Sequence, residues 1–309
     1  MVTQKEIQYE GYGRCLEIAN DLVRLVVTLD FGPRIIRYSF LDGENILFED
    51  KDRVFFEQGE TFDNAYGKGA TWYIYGGHRL WTTPESFPRT YYPDNDPVAV
   101  ELTEDGVILT PPVQKWNQYQ YSFIISLSEN STDVTVKHTL TNHGAWGITL
   151  ALWPITVLSP GGTEIVPQPV RDTACFPNRL MAFWDYDRLN DERLTCMKQY
   201  IVLRQDADTV ERMKFGINSQ HGYAMYFNHG DMFLKRFTPN LEGTYPDGGM
   251  SFETFTNPLF LEMETLSELQ MVEPGRTIEH TEQWSLYKAS LPELSDDAID
   301  MFTKQYIKE

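Results

Sequence analysis

Short segments in which apolar and polar residues alternate run along almost the whole chain, about twenty of them, each closed within roughly ten residues by Gly, Pro, Asn or Asp. Successive side chains of a strand point to opposite faces, so every such segment has an apolar face that must be covered. Two sheets packed face to face cover each other. The pattern therefore predicts an all-β fold, a large antiparallel β-sandwich. Cys15 to Ile18, Val23 to Leu29, Ile35 to Phe40, Tyr121 to Leu127 and Val134 to Leu140 are examples. Asp42-Gly43, between Ile35 to Leu41 and Asn45 to Phe48, is a strong hairpin signal. The exception comes last: Ala298, Ile299, Met301, Phe302, Tyr306 and Ile307 recur at helical spacing behind Ser295-Asp296, which predicts a short packing helix over Asp296 to Lys308. With no linker, repeat or low-complexity run, residues 1–309 read as one domain, a length that an undivided β domain reaches.

Charge narrows the partners. A formal net charge of −19 is repelled by the phosphates of nucleic acid and by an anionic membrane surface, so neither is expected, while neutral ligands are compatible. The 17 Tyr, 18 Phe and 7 Trp suit a β-rich protein with an aromatic cleft. Cys15, Cys175 and Cys196 are widely spaced and read as free thiols, and neither they nor the six His show a metal-ligand spacing such as C-x-x-C or H-x-x-x-H. No phosphate-cradling loop is present, so no metal and no cofactor is expected. The N-terminal residues lack an apolar signal core and the longest apolar run, Ile148 to Leu158, is too short to span a bilayer, which makes a cytoplasmic protein the expectation.

Charge and burial conflict most sharply in Asn257 to Tyr287. In Phe260 to Glu264 the alternation puts Phe260, Glu262 and Glu264 on one face of a strand, with Leu261 and Met263 on the other. A buried ionised carboxylate is costly unless paired or solvated, so the acidic face should line a cleft or meet cations; the alternative is an edge strand whose Glu side chains face water. A turn at Glu273-Pro274-Gly275 and a final strand, Thr281 to Tyr287, follow.

Residues 57–97 read as mostly irregular and carry Gly76-Gly77-His78-Arg79-Leu80-Trp81-Thr82-Thr83-Pro84-Glu85. A long aromatic loop in a compact domain is commonly functional. The two glycines permit close backbone approach; His78 offers a proton-transfer group, Arg79 five donors and Trp81 a flat apolar face. That set suits a sugar, whose hydroxyls meet Arg79 and whose C–H face stacks on Trp81. A purely structural loop, with Arg79 paired to a nearby acid, is the other reading.

Leu261-Glu262-Met263-Glu264, the turn Met271 to Gly275 and the aromatic strand Trp284 to Tyr287 together resemble the C-terminal part of the aldose 1-epimerase (galactose mutarotase) superfamily. The resemblance implies its large supersandwich fold and places the catalytic base on Glu262, with Glu264 as a neighbour where the family often has Gln. Gly76-Gly77 and Trp81 to Pro84 resemble a "GG-x-P-x-x-W-P" pattern of glucose-6-phosphate epimerase-like members, but mutarotases carry a His directly before the Gly pair and this chain has Tyr75 there. Thr141-Asn142-His143 resembles the family's "TNH", whose His is the general acid. Here His143 sits in a hairpin turn, and counting along the next strand brings Trp153 to the acid's place. A Trp stacks on a pyranose and donates a hydrogen bond, but it transfers no catalytic proton.

Ser159 to Arg204 reads as a loop over the cleft or an excursion of the sandwich, and Lys235 as a cation able to meet Glu262 or Glu264. Two functions follow from the resemblance. One is a carbohydrate-binding protein with a cleft made by Glu262, Glu264, Arg79, Trp81, Trp153 and Lys235. The other is an aldose 1-epimerase-type isomerase with Glu262 as general base and His78 as acid. An acidic interaction protein whose aromatic loops form a partner surface is a third reading.

Overall fold

The computed structural model describes residues 1–307, and the alternating segments resolve into two large antiparallel sheets. The 11-stranded sheet runs, side by side, from Thr3–Tyr9 through Gly13–Ala19, Val23–Thr28, Ile35–Phe40, His78–Thr83, Ile148–Leu158, Leu261–Thr265, Phe252–Thr256 and Met213–Ile217 to Met181–Phe183, with Gln270–Val272 paired to one end of Ile148–Leu158. The 10-stranded sheet packs against it, with Asp231–Phe237, Thr277–Lys288, Val134–Asn142 and Tyr119–Leu127 at its centre. Every pairing between these strands is antiparallel.

Period-two burial decides which side chains meet between the sheets. Leu152, Leu158, Leu261 and Met263 from one sheet join Phe123, Ile125, Val136 and Trp284 from the other in the main core. Their strand neighbours Trp153, Ile155 and Val157 point the opposite way and, with Trp72, Trp81 and Phe260, form a second apolar cluster on the outer face of the 11-stranded sheet. Residues 49–77 fold back over that face, so both faces of the central strands are buried.

Residues 57–97 hold more regular structure than their composition predicts: the helix Glu60–Tyr66, the strand Thr71–Tyr73 and the central strand His78–Thr83. Gly76 and Gly77 explain how the chain enters that strand. Both have positive φ, and a Cβ would lie 2.2 Å from the Phe48 carbonyl oxygen at Gly76 and 2.1 Å from that of Ile35 at Gly77. The close approach these glycines permit is to the protein's own backbone. Asp42-Gly43 makes its turn, the Gly43 amide donating to the Phe40 carbonyl at 3.0 Å, but no hairpin follows. The Asn45 side chain accepts from the Tyr38 amide and donates to the Ile36 carbonyl, taking the ladder positions that a returning strand would use. The terminal helix is Asp296–Thr303, capped by the Ser295 hydroxyl, which accepts from the Ala298 amide; Lys308, the expected end, lies outside the described residues. Among the described residues no helix is long and apolar enough to cross a membrane.

Candidate functional site

Five neighbouring strands of the 11-stranded sheet present polar side chains on the outer face. Register sets their places: Arg79 lies opposite Ile155, Ile155 opposite Glu264 and Glu264 opposite Glu253, while Glu262 lies between Val157 and Phe255. Arg79 reaches over the intervening strand and donates from Nη2 to Glu262 Oε1 at 3.0 Å. Its guanidinium also stacks 4.3 Å from the Trp81 ring centroid. Trp153 donates from Nε1 to Glu264 Oε2 at 2.7 Å. Lys214, from Met213–Ile217, holds Glu264 at 2.9 Å and Glu253 at 2.8 Å, with its ammonium 4.6 Å from the rings of both Trp153 and Trp184.

Arg79, Trp81, Trp153, Lys214, Glu262 and Glu264 floor a cleft of about 240 Å³. Trp184, Tyr186 and Arg212 form one wall, and Trp72, Tyr91 and Glu85 another. Arg79 Nε and Nη1, Trp72 Nε1 and Glu264 Oε1 are buried without a hydrogen-bond partner. Unmade hydrogen bonds of buried polar groups are costly, so unpaired donors and an acceptor on cleft-lining residues suit a polar ligand. Burial raises the Glu262 carboxyl above the usual range; Arg79 opposes the rise and the Glu264 charge adds to it. At Lys214, burial acts against the charge, but Glu264 and Glu253 outweigh it and keep the ammonium protonated.

Arg79, Trp81, Trp153, Glu262 and Glu264 line this one cleft, whereas His78 and Lys235 do not join them. His78 precedes Arg79 on the same strand and so faces the opposite way, into the space between the sheets, where it is wholly buried. Lys235 lies in Asp231–Phe237 of the other sheet, with its ammonium 2.8 Å from Glu282 and donating to Thr156 Oγ1 at 2.8 Å and the Met263 carbonyl at 3.0 Å. Lys214 and Glu253 belong to no site motif in the sequence, whereas Trp184 belongs to the aromatic-acidic stretch Trp184 to Asp187 within the segment read as a loop over the cleft or an excursion of the sandwich. A lysine alternating with Met213, Phe215 and Ile217 was the available signal for Lys214, since a cation in an otherwise apolar strand needs a partner.

The interior polar network has a definite proton order. The His280 carbonyl only accepts, so His138 Nδ1, 3.1 Å away, carries a proton and its Nε2 accepts. His78 Nε2 then donates to it at 2.7 Å, and His78 Nδ1 accepts from the Thr156 hydroxyl at 2.9 Å. Both imidazoles are neutral, as their burial requires: burial holds His138 down to about 3 and His78 well below its ordinary value. His78, His138 and Glu282 bring potential metal-ligand atoms within 4.8 Å of one another, a grouping from three distant strands that no local spacing could reveal. Those nitrogen lone pairs are already engaged in hydrogen bonds, and Lys235 already supplies the cation beside Glu282, so a divalent ion fits this donor set poorly.

The two-sheet architecture has counterparts among solved structures. A galactose mutarotase-like protein from Clostridium acetobutylicum superposes with a TM-score of 0.54, covering 93% of this chain and 99% of its own at 10% identity. The fold is galactose mutarotase-like. A galactose mutarotase-like protein from Lactobacillus casei matches at a TM-score of 0.55, with 88% and 100% coverage and 10% identity. A TPR-domain containing protein from Parabacteroides distasonis matches over 90% of this chain at a TM-score of 0.60 and 13% identity, but this chain spans only 48% of it. No protein-family model matches the sequence, and no curated protein matches it. Within a galactose mutarotase-like sandwich, the outer face of the central strands is where this chain concentrates its paired charges and indoles.

Proposed function

We propose that this protein binds a saccharide in the cleft floored by Glu262, Glu264, Arg79, Trp81 and Trp153. One observation carries the reading: the Arg79–Glu262 pair, at 3.0 Å, lies against the Trp81 ring and leaves Arg79 Nε and Nη1 without partners. Hydroxyls can donate to Glu262 and accept from Arg79, while C–H faces lie on indole, which is the mixed surface a sugar needs. The galactose mutarotase-like fold supports the same reading by analogy only.

Interconversion of anomers is the second reading, with Glu262 as base. It requires an acid at the ring oxygen. His78, the acid that the sequence suggested, is separated from the cleft by the thickness of the sheet, and no histidine lines the cleft among the described residues. Binding is therefore better supported than catalysis. Isothermal titration of a panel of aldoses, run beside a polarimetric mutarotation assay, tests both. Binding without anomer interconversion is expected; absence of binding for every sugar up to millimolar concentrations would sink the proposal.

A further inference from the structure

The cleft does not end at its own rim. A second, more open hollow of about 450 Å³ adjoins it, and Phe55, Tyr186, Arg212 and Phe255 line both. The four shared side chains lie at the junction of the two hollows. Arg212 stacks on the Tyr186 ring at 4.0 Å and forms no ion pair among the described residues, so its donors are available across the junction. Beyond that junction the hollow is edged by Val210, which is 80% exposed, and by Asn257. Pockets that enclose a drug-sized ligand run to roughly 300–1,000 Å³. The inner cleft, at about 240 Å³, lies just below that range, while the outer hollow alone and the two together fall within it.

Resting on the saccharide reading of the inner cleft, we infer that the ligand is an oligosaccharide of at least two sugar units, whose second unit lies over the Arg212–Tyr186 pair in the outer hollow. A planar guanidinium on a phenol ring offers the next sugar a flat face and outward donors, the same chemistry that Arg79 and Trp81 offer below. A free monosaccharide would use only the inner cleft.

The test is a chain-length series. Glucose and galactose, with their di- to tetrasaccharides in both α and β linkages, are titrated by calorimetry into the wild type and Val210→Arg. Val210 edges only the outer hollow and is exposed, so the substitution obstructs that hollow at a site where folding tolerates it; an unchanged melting temperature confirms that. Affinity is expected to rise at least tenfold from the monosaccharide to the di- or trisaccharide, and Val210→Arg should remove the gain while leaving monosaccharide affinity as it was. Equal affinity at every length, or weaker binding of the longer chains, overturns the inference and leaves the saccharide reading standing. No binding at any length overturns both.

Discussion

Arg79 and Glu262 stand 183 positions apart in the chain and form one buried ion pair, 3.0 Å from Nη2 to Oε1, across an intervening strand. A carboxylate held this way accepts charge-assisted hydrogen bonds from a ligand, each worth about 1.5–3 kcal/mol. Glu262→Gln keeps the shape and removes the charge. Saccharide affinity by calorimetry is expected to fall by about one to two orders of magnitude. If instead affinity stays within tenfold and a measurable mutarotation rate disappears, Glu262 is a base.

The acidic face of Phe260 to Glu264 was legible because period two is rigid: once Leu261 and Met263 are core, Glu262 and Glu264 must share the other side. The same rule, applied to His78 and Arg79, separates them, and reading residues 57–97 as irregular concealed it. Lys235 was misread for a related reason. Its strand belongs to the facing sheet, and the interior acid that makes a buried lysine tolerable, Glu282, lies 47 residues further on, where no local pattern links them. Gly76-Gly77 was identified correctly as a close-approach signal, but sequence cannot say whether ligand or backbone approaches.

Lys214 neutralises two buried carboxylates, Glu253 and Glu264, so its removal strands both. Lys214→Met is expected to destabilise the fold by about 3–5 kcal/mol near neutral pH, the usual consequence of leaving buried charge uncompensated. Burial already raises the Glu253 carboxyl, with Lys214 opposing and Glu264 adding to the rise, so without the lysine Glu253 should take up a proton readily. The deficit relative to wild type should shrink at pH 5. Denaturant midpoints of both proteins at the two pH values decide this, and an equal deficit at both would contradict it.

Acid should unfold the protein through its interior imidazoles. Burial holds His138 down to about 3 and His280 down to about 4, with His78 also well below its ordinary value. Between those values and about 6.5 the unfolded chain binds protons that the folded chain refuses, so this stability is complete above about 6.5 and is lost as pH falls, by about 1.4 kcal/mol per pH unit for each histidine. Melting temperatures measured from pH 7.5 down to 4.5 should drop, and His138→Gln, which retains an acceptor for His78, should make the slope shallower. A slope unchanged by that substitution would show that His138 is not one of the groups responsible.

Glu164 should act in the opposite direction. It lies on the facing sheet, wholly buried, with neither carboxyl oxygen at hydrogen-bond geometry to a partner. Burial pushes its carboxyl up to about 8; the Thr254 hydroxyl lowers it, the Glu264 charge raises it and Lys235 lowers it. Above its ordinary value of 4.5 the unfolded carboxyl gives up a proton that the folded one keeps. The folded state then binds more protons, and stability due to this group is full below about 4.5 and declines as pH rises toward 8, by at most about 5 kcal/mol in all. Glu164→Gln removes the titration while keeping the side-chain shape. Its stability relative to wild type should therefore increase steadily from pH 4.5 to pH 8, which denaturant titrations at four or five pH values would resolve. A difference that does not change with pH would mean that Glu164 is ionised and compensated in the folded protein, and that the interior between the sheets carries one more charge than burial of this carboxyl implies.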